Sequence, residues 1–198
     1  MTRAIYRLPW RVDVTVRDGV AGIASGAALA RCIAAGLDAA GAPAPASIGL
    51  ILSDDAEVAE LNLQHMGKDG PTDVLSFPLH PPSAFPRHAG QGGADGSGRG
   101  ARRPGAGSGQ GAPVARFVLP PGVRPHLGDI VVSVERAIAQ AAEGRGGQTG
   151  DRRWAPADEL RLLVTHGALH ICGWDHAEPI EEAAMRALER RLLGDIPG

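Results

Sequence analysis

The three histidines His166, His170 and His176 have the residue type and the spacing to bind one metal ion. On an α-helix, residues four apart lie one above the other on the same face, so the rings of His166 and His170 point the same way. Gly173 can end that helix in a left-handed conformation, and the short stretch after it can return His176 to the same ion. Three protein ligands leave one tetrahedral position open for water, which is typical of a catalytic zinc site. The sequence therefore predicts one Zn²⁺ ion here.

Three residues beside these histidines each have two interpretations. Cys172 points away from His170 on the helix, which favours a small buried thiol over a soft metal ligand. Asp175 either accepts a hydrogen bond from the far N–H of a ligand histidine or turns the chain. Gly167 either lets the helix approach another backbone or leaves room for a substrate beside the metal.

A zinc peptidase is the first alternative for such a pair of histidines. Peptidases of that kind carry H-E-x-x-H, in which the glutamate between the histidines is the general base. Gly167 occupies that position here, so the proton acceptor is missing. A zinc hydrolase of another substrate needs a carboxylate from elsewhere in the chain, and Asp73 and Asp129 are the candidates.

The composition is that of a soluble globular domain. The 198 residues are 43% hydrophobic and 21% charged, which is sufficient for one domain with its own core. The net charge of −2 gives the whole chain no attraction to nucleic acid, so an RNA contact requires a local basic patch. The two cysteines do not indicate a disulfide framework, and no apolar run is long enough to span a membrane. We expect a cytoplasmic protein with reduced thiols and no membrane contact.

The elements that must position the histidines follow from the hydrophobic pattern. Apolar runs predict four strands, at residues 10–16, 47–53, 72–79 and 130–134. Helical patterns predict about five helices, at residues 25–40, 54–63, 135–143, 157–172 and 178–193. Ser53 is the predicted N-cap of the second helix, and Pro78 indicates a sheet edge or a strand end. The prediction is a single α/β (α+β) domain with a small mixed four-stranded sheet and a metal cleft at the C-terminal helix.

Residues 80–113 differ from the rest of the chain because they are rich in Gly, Pro, Ala and Ser and have no hydrophobic period. Such a segment buries too little apolar surface to offset its ordering entropy, so the sequence predicts a disordered insertion. Its arginines could contact a polyanion, but a tolerated surface insertion is the simpler interpretation.

Three segments carry a more specific pattern. HGALHICGWDH, residues 166–176, matches an H-G-x-L-H-x-x-G-x-D-H signature. LNLQHMGKDGPTDVLSFP, residues 61–78, and LGDIVVSVERAIAQA, residues 127–141, match two further motifs in a fixed order. Together they resemble the YbeY family, the bacterial rRNA maturation factors and endoribonucleases, over most of the chain outside the insertion.

The resemblance implies a function as well as a fold. It implies a small mixed sheet with helices packed on it and a cleft in which His166, His170 and His176 bind zinc. It also implies single-strand-specific cleavage of RNA, in maturation of the 16S rRNA 3′ end and in ribosome quality control. The partners would be single-stranded RNA or rRNA and the ribosome or its small subunit. On this basis residues 1–198 form a single metallo-endoribonuclease domain.

The chain departs from the family pattern in the second segment. The family's arginine falls on Met66, and the aromatic residue before it falls on His65. A methionine cannot bind a phosphate, so Lys68, the only lysine of the chain, is the candidate catalytic residue, although a lysine lacks the bidentate geometry of arginine. Lys68 is alternatively a solvated turn residue, and Arg11 or an arginine of the insertion could act in its place. His65 is either a general acid or base or, more simply, a packing residue.

A non-catalytic ribosome-biogenesis factor with a structural zinc ion is the alternative from another class, and Met66 favours it. A structural zinc site usually has four protein ligands and no open position. A fourth protein side chain at the ion would therefore distinguish this alternative from a nuclease.

Overall fold

The structure is a computed structural model of the chain and describes residues 1–88, 91, 123–144 and 154–194. These residues contain five strands: β1 (Thr2–Arg7), β2 (Trp10–Val16), β3 (Ser47–Ser53), β4 (Val74–Pro78) and β5 (His126–Ser133). They also contain five α-helices: α1 (Gly26–Ala39), α2 (Asp55–Met66), α3 (Val134–Glu143), α4 (Pro156–Ile171) and α5 (Pro179–Leu193).

The strands form one mixed sheet in the order β1-β2-β3-β5-β4. The central pairs β2–β3 and β3–β5 are parallel, whereas the outer strands β1 and β4 pair antiparallel with their neighbours. Pro78 ends the edge strand β4, where the missing N–H of proline costs no ladder hydrogen bond. The predicted mixed α/β domain with about five helices is confirmed for the described residues, but the predicted number of four strands is wrong, because the sheet that these residues form has five.

The strand that the hydrophobic pattern did not predict is β1. It is an exposed edge strand, in which Ile5 packs partly against the core and Tyr6 is 58% exposed. A strand that buries so little shows no alternation of apolar and polar residues, and that alternation is the signal by which a strand is found in a sequence.

One face of the sheet carries the main hydrophobic core. Val12, Leu50 and Ile130 alternate with less buried or oppositely directed residues along β2, β3 and β5, and all three are fully buried. Helices α1 and α4 cover this face, with Ile33 and Leu169 fully buried. Helix α4 contacts α1, α3 and α5 as well as β4 and β5, so it is the central helix of the fold.

The opposite face carries a smaller cluster beneath helix α2, in which Val58 packs against Leu75 and Val131. The N-cap of α2 is Asp54, whose Oδ1 accepts a hydrogen bond from the N–H of Glu57 at 2.9 Å. The predicted N-cap, Ser53, is wrong by one position because Ser53 is still the last residue of β3.

The turn after α4 sets the direction in which the chain leaves the helix. Gly173 has a φ of 83°, as the prediction of a left-handed cap requires. The N–H of Gly173 donates to the carbonyl of His170 at 3.0 Å, and the N–H of Trp174 donates to the carbonyl of Leu169 at 3.1 Å. These two bonds form a Schellman motif, which ends α4 sharply and turns the chain back.

Most of the predicted disordered insertion, residues 80–113, lies outside the described residues. Its first residues are described, and there Phe85 is buried and the ring of His88 stacks on Trp174 with centroids 4.0 Å apart. The packed part of the chain thus extends at least to His88. Within the described ranges, no helix has both the length and the apolar character needed to cross a membrane.

Candidate metal centre and adjoining cavity

Helix α4 and the loop after it bring the three candidate ligands together. His166 and His170 lie on the last two turns of α4, and His176 follows the turn at Gly173. The ring centroids are 4.5 Å apart for His166 and His170, 5.1 Å for His170 and His176, and 5.5 Å for His166 and His176. One ring nitrogen of each histidine lies within 4.8 Å of the other two. The three donors therefore face a common point.

A carboxylate from α5 orients one of these rings. Nδ1 of His166 donates a hydrogen bond to Oε1 of Glu189 at 2.7 Å. An ionised carboxylate can only accept, so this contact fixes the proton on Nδ1 and leaves the Nε2 lone pair for a metal ion. Glu189 was not predicted from the sequence. Its position four residues after the buried Met185, on the inner face of α5, is the signal that could have found it.

Burial and neighbouring charge keep His170 neutral. Desolvation of the ring, followed by the positive charge that His166 and His176 can carry, lowers the pKa of His170 from 6.5 to about 4. Metal ions bind the neutral form of imidazole. His170 is therefore in its ligand form at neutral pH.

The donor set fits a zinc ion. Zn–N distances of about 2.0–2.1 Å place two tetrahedral ligand atoms about 3.3 Å apart. The Nε2 atoms of His166 and His170 lie 2.9 Å apart, close to that separation. Within the described residues, the group consists of three histidines with no Cys, Asp or Glu as a fourth member. Such a group can hold one ion and leave a position open for substrate.

The residues next to the ligands have structural roles. Cys172 is 2% exposed, and burial raises the pKa of its thiol to about 12, which supports the buried-thiol interpretation. Asp175 accepts a hydrogen bond from the backbone N–H of His176 at 2.8 Å, which supports the turn interpretation. A Cβ on Gly167 would lie 2.7 Å from Cγ2 of Ile130, so this glycine lets α4 pack closely on β5.

A cavity of about 440 Å³ adjoins the histidines. His166 and His176 form part of its wall, together with side chains of α4 and α5 and with Trp154, which precedes α4. Its volume lies within the range of about 300–1,000 Å³ that is typical of small-ligand sites. The candidate centre thus has space beside it for part of a substrate.

The predicted catalytic residue Lys68 lies in the exposed turn after α2, and it does not line this cavity. Met66, at the family's arginine position, is 46% exposed on the last turn of α2. His65 packs edge-on against Phe77, with ring centroids 5.0 Å apart, which supports the packing interpretation. The structure thus brings the three histidines together, and Lys68 is not among the residues that line the cavity.

Of the two carboxylates considered for another zinc hydrolase, Asp73 lines the cavity and Asp129 does not. Oδ2 of Asp73 accepts a hydrogen bond from the side-chain amide of Gln140 at 3.2 Å, which ties the start of β4 to α3. Asp129 lies 3.1 Å from Nε2 of His126. Arg11, considered as a replacement for Met66, pairs with an aspartate on its own strand at 2.9 Å.

The comparisons with known proteins agree with the three motifs. The family model described as Endoribonuclease YbeY matches residues 23–197. A protein named Endoribonuclease YbeY from Roseiflexus castenholzii is 34% identical over 186 residues, which cover 93% of this chain and 92% of that protein. One of the same name from Salinispora tropica is 40% identical over 157 residues, which cover 79% of this chain and 78% of that protein. A solution structure of a Thermotoga maritima protein aligns with a TM-score of 0.44 and 20% identity, over 91% of this chain and 89% of that one. By the family model and these relatives, the chain belongs to the endoribonuclease YbeY family.

Proposed function

We propose that this chain is a zinc-dependent endoribonuclease that cleaves single-stranded RNA. The proposed role is maturation of the 16S rRNA 3′ end and ribosome quality control in the cytoplasm, with residues 1–198 as one catalytic domain. The observation that carries the proposal is the convergence of donor atoms from His166, His170 and His176 within 4.8 Å, beside a cavity. Membership of the family supports it, because the relatives are named endoribonucleases.

The residues of the centre have separate tasks in this mechanism. His166, His170 and His176 would hold the Zn²⁺ ion, which supplies a Lewis acid beside the cleaved phosphate. Glu189 keeps the proton of His166 on Nδ1, so that Nε2 faces the ion site. Lys68 would add a positive charge to the phosphate backbone from the exposed turn after α2.

A zinc-stabilised ribosome-biogenesis factor without catalysis is the second candidate, and the exposed Met66 favours it because it removes the family's arginine. That candidate needs a closed site with four protein ligands. The described residues around the three histidines provide no fourth ligand, which favours the nuclease.

The test is metal analysis of the purified protein together with cleavage of a single-stranded RNA oligonucleotide. We expect about one zinc ion per chain, and we expect His170→Ala to lose both the zinc and the cleavage. His65→Ala is the matched control, because His65 packs on Phe77 outside the cluster. Full cleavage by metal-free protein would contradict the proposal.

A further inference from the structure

The cavity beside the histidines combines an aromatic side chain with apolar surface. Trp154 lines it together with Leu163, Met185 and Leu193, which are buried. Unstacked nucleobases bind to proteins on such surfaces, because every base has a π-face that stacks on an aromatic ring. The volume of about 440 Å³ is sufficient for a ligand of nucleotide size.

A hydrogen bond to a buried glutamate fixes the side chain of Trp154. Its indole N–H donates a hydrogen bond to Oε2 of Glu159 at 2.6 Å, and Glu159 is fully buried in the first turn of α4. The polar atom of the ring is therefore satisfied inside the protein, while part of the side chain remains accessible. A ring that is already fixed loses little conformational freedom when a ligand stacks on it.

Among the residues that the structure describes, all but one of the charged side chains of the wall have a partner. Glu189 is bound to the histidine centre, Glu182 pairs with Arg186, and Asp73 accepts the amide of Gln140. Arg190 also lines the cavity, and it forms no ion pair with the residues that the structure describes. An unpaired guanidinium is well suited to a phosphate group.

We propose that this cavity binds one unpaired nucleotide of the RNA next to the cleaved phosphate, with its base on Trp154 and a phosphate at Arg190. This inference rests on the proposed nuclease function and describes how the substrate binds at that site. A base inside a duplex is paired and stacked, so it must leave the helix before it can enter such a pocket. The cavity is therefore what selects single-stranded RNA.

The first experiment measures cleavage of a single-stranded oligoribonucleotide and of the same sequence in a duplex. Trp154→Ala is expected to raise KM for the single strand about tenfold or more, because it removes a base-stacking surface. Trp154→Phe keeps an aromatic ring for stacking and is expected to raise KM much less than Trp154→Ala. Arg190→Ala is expected to raise KM several-fold. Arg191→Ala is the control and is expected to keep the wild-type KM, because Arg191 is exposed and does not line the cavity.

If Trp154 had a purely structural role, the two Trp154 variants would rank differently in KM. Phenylalanine lacks the N–H that Glu159 accepts, so Trp154→Phe would then be as defective as Trp154→Ala. That result would overturn the proposal. If Trp154→Ala fails to fold, the Phe variant and the comparison of Arg190→Ala with Arg191→Ala decide, and an equal KM for the two arginine variants contradicts the proposal.

The second experiment removes the base instead of the ring. Once the cut is mapped, cleavage products that carry or lack the terminal base are titrated by fluorescence anisotropy, which requires no turnover. Loss of the base is expected to weaken binding to the wild type about tenfold and to have no further effect on Trp154→Ala, because both changes remove the same contact. Additive losses would contradict the assignment of the base to Trp154.

The nuclease function and the nucleotide cavity are contradicted by different results. If the zinc-loaded wild type does not cut RNA, the proposed function fails. If the wild type cuts single strands and the Trp154 variants keep its KM and its preference for single strands, the nucleotide cavity alone is wrong.

Discussion

At the residue scale, local geometry made the convergence of the histidines predictable. One helix face presents His166 and His170, and the turn at Gly173 returns His176, so the arrangement depends on a short stretch of chain. Glu189 could not be assigned in the same way. It comes from α5, and which acid of that helix meets His166 depends on how Met185 packs in the core.

Glu189→Ala is expected to weaken zinc binding about 10- to 100-fold, because His166 loses the carboxylate that fixes its tautomer and ring direction. Competition against a chelator of known affinity measures the change. Glu182→Ala is the matched control on the same helix, because Glu182 pairs with Arg186. Equal zinc affinities for the two variants would show that the hydrogen bond does not orient the ligand.

Met66→Arg is expected to raise kcat/KM for single-stranded RNA about tenfold, because a charge-assisted hydrogen bond contributes about 1.5–3 kcal/mol. Met66 is exposed, so the longer side chain fits without disturbing the core. Met66→Lys should give a smaller gain, since lysine lacks the bidentate fork. Unchanged kcat/KM in both variants would show that the side chain at position 66 does not contact the phosphates of the RNA.

At the element scale, the close contact between α4 and the sheet fixes the height of the histidines above the strands. The predicted helix 157–172 and the observed Pro156–Ile171 agree within one residue, because the helix has a strong apolar stripe and a glycine stop. From the sequence, Gly167 could either allow close packing of the helix or leave room for a substrate. In the structure, a Cβ at Gly167 would collide with Ile130, so the glycine serves close packing.

Gly167→Ala is expected to lower the free energy of unfolding by about 1–2 kcal/mol. Alanine favours a helix by up to about 1 kcal/mol, but overpacking a close contact costs about 1–3 kcal/mol, and here the new Cβ would lie 2.7 Å from Cγ2 of Ile130. Gly36→Ala in α1 is the control, because its Cβ would lie 3.4 Å from the Cβ of Ala168, so a gain of about 0.5–1 kcal/mol is expected. Urea unfolding measures both, and a stabilised Gly167→Ala would contradict the packing argument.

The link between β2 and α2 is expected to depend on pH. Nε of Arg17 donates to Oε2 of Glu57 at 2.8 Å, and this hydrogen bond lowers the pKa of Glu57 below its ordinary 4.5. The contribution of this pair to the free energy of unfolding is therefore fully present above about pH 4.5. It is lost as the pH falls through the lowered pKa of Glu57. Because the pair is partly exposed, it is worth at most about 1 kcal/mol.

Unfolding of Glu57→Gln at several pH values tests this dependence. The difference in stability from the wild type should be largest near neutral pH and should close in acid. Glu60→Gln is the control, because Glu60 accepts a hydrogen bond at 2.9 Å from a side-chain amide of its own helix and forms no ion pair within the described part of the chain. A difference that grows on acidification would reverse the assigned sign.

At the scale of the whole molecule, the sequence predicted the interior better than the edges. The strands β2, β3 and β5 carry the apolar residues of the core, and burial imposes the pattern from which they were found. The edge strand β1 buries little and left no such pattern. The packing of Phe85 and His88 was hidden for a related reason, because both lie in a segment whose composition is dominated by Gly and Pro.

Zinc is expected to stabilise the whole fold, because its candidate ligands extend from the central helix α4 into the loop before α5. A free zinc concentration 100 times Kd adds about 2.7 kcal/mol, which raises Tm by about 5–10 °C for a chain of this length. Thermal unfolding with zinc and with magnesium measures the effect, and magnesium should leave Tm unchanged because it prefers oxygen ligands. His176→Ala should abolish the zinc-dependent rise in Tm. A rise that persists in this variant would show that zinc binds at another site.

Glu189 is translated after every strand of the sheet and after α4. A nascent chain can therefore fold its sheet, and can place His166 and His170 on one helix face, before the carboxylate that orients His166 has left the ribosome. The centre gains its full geometry only with the last helix. The hydrogen bond that orients His166 can therefore form only after α5 has been synthesised.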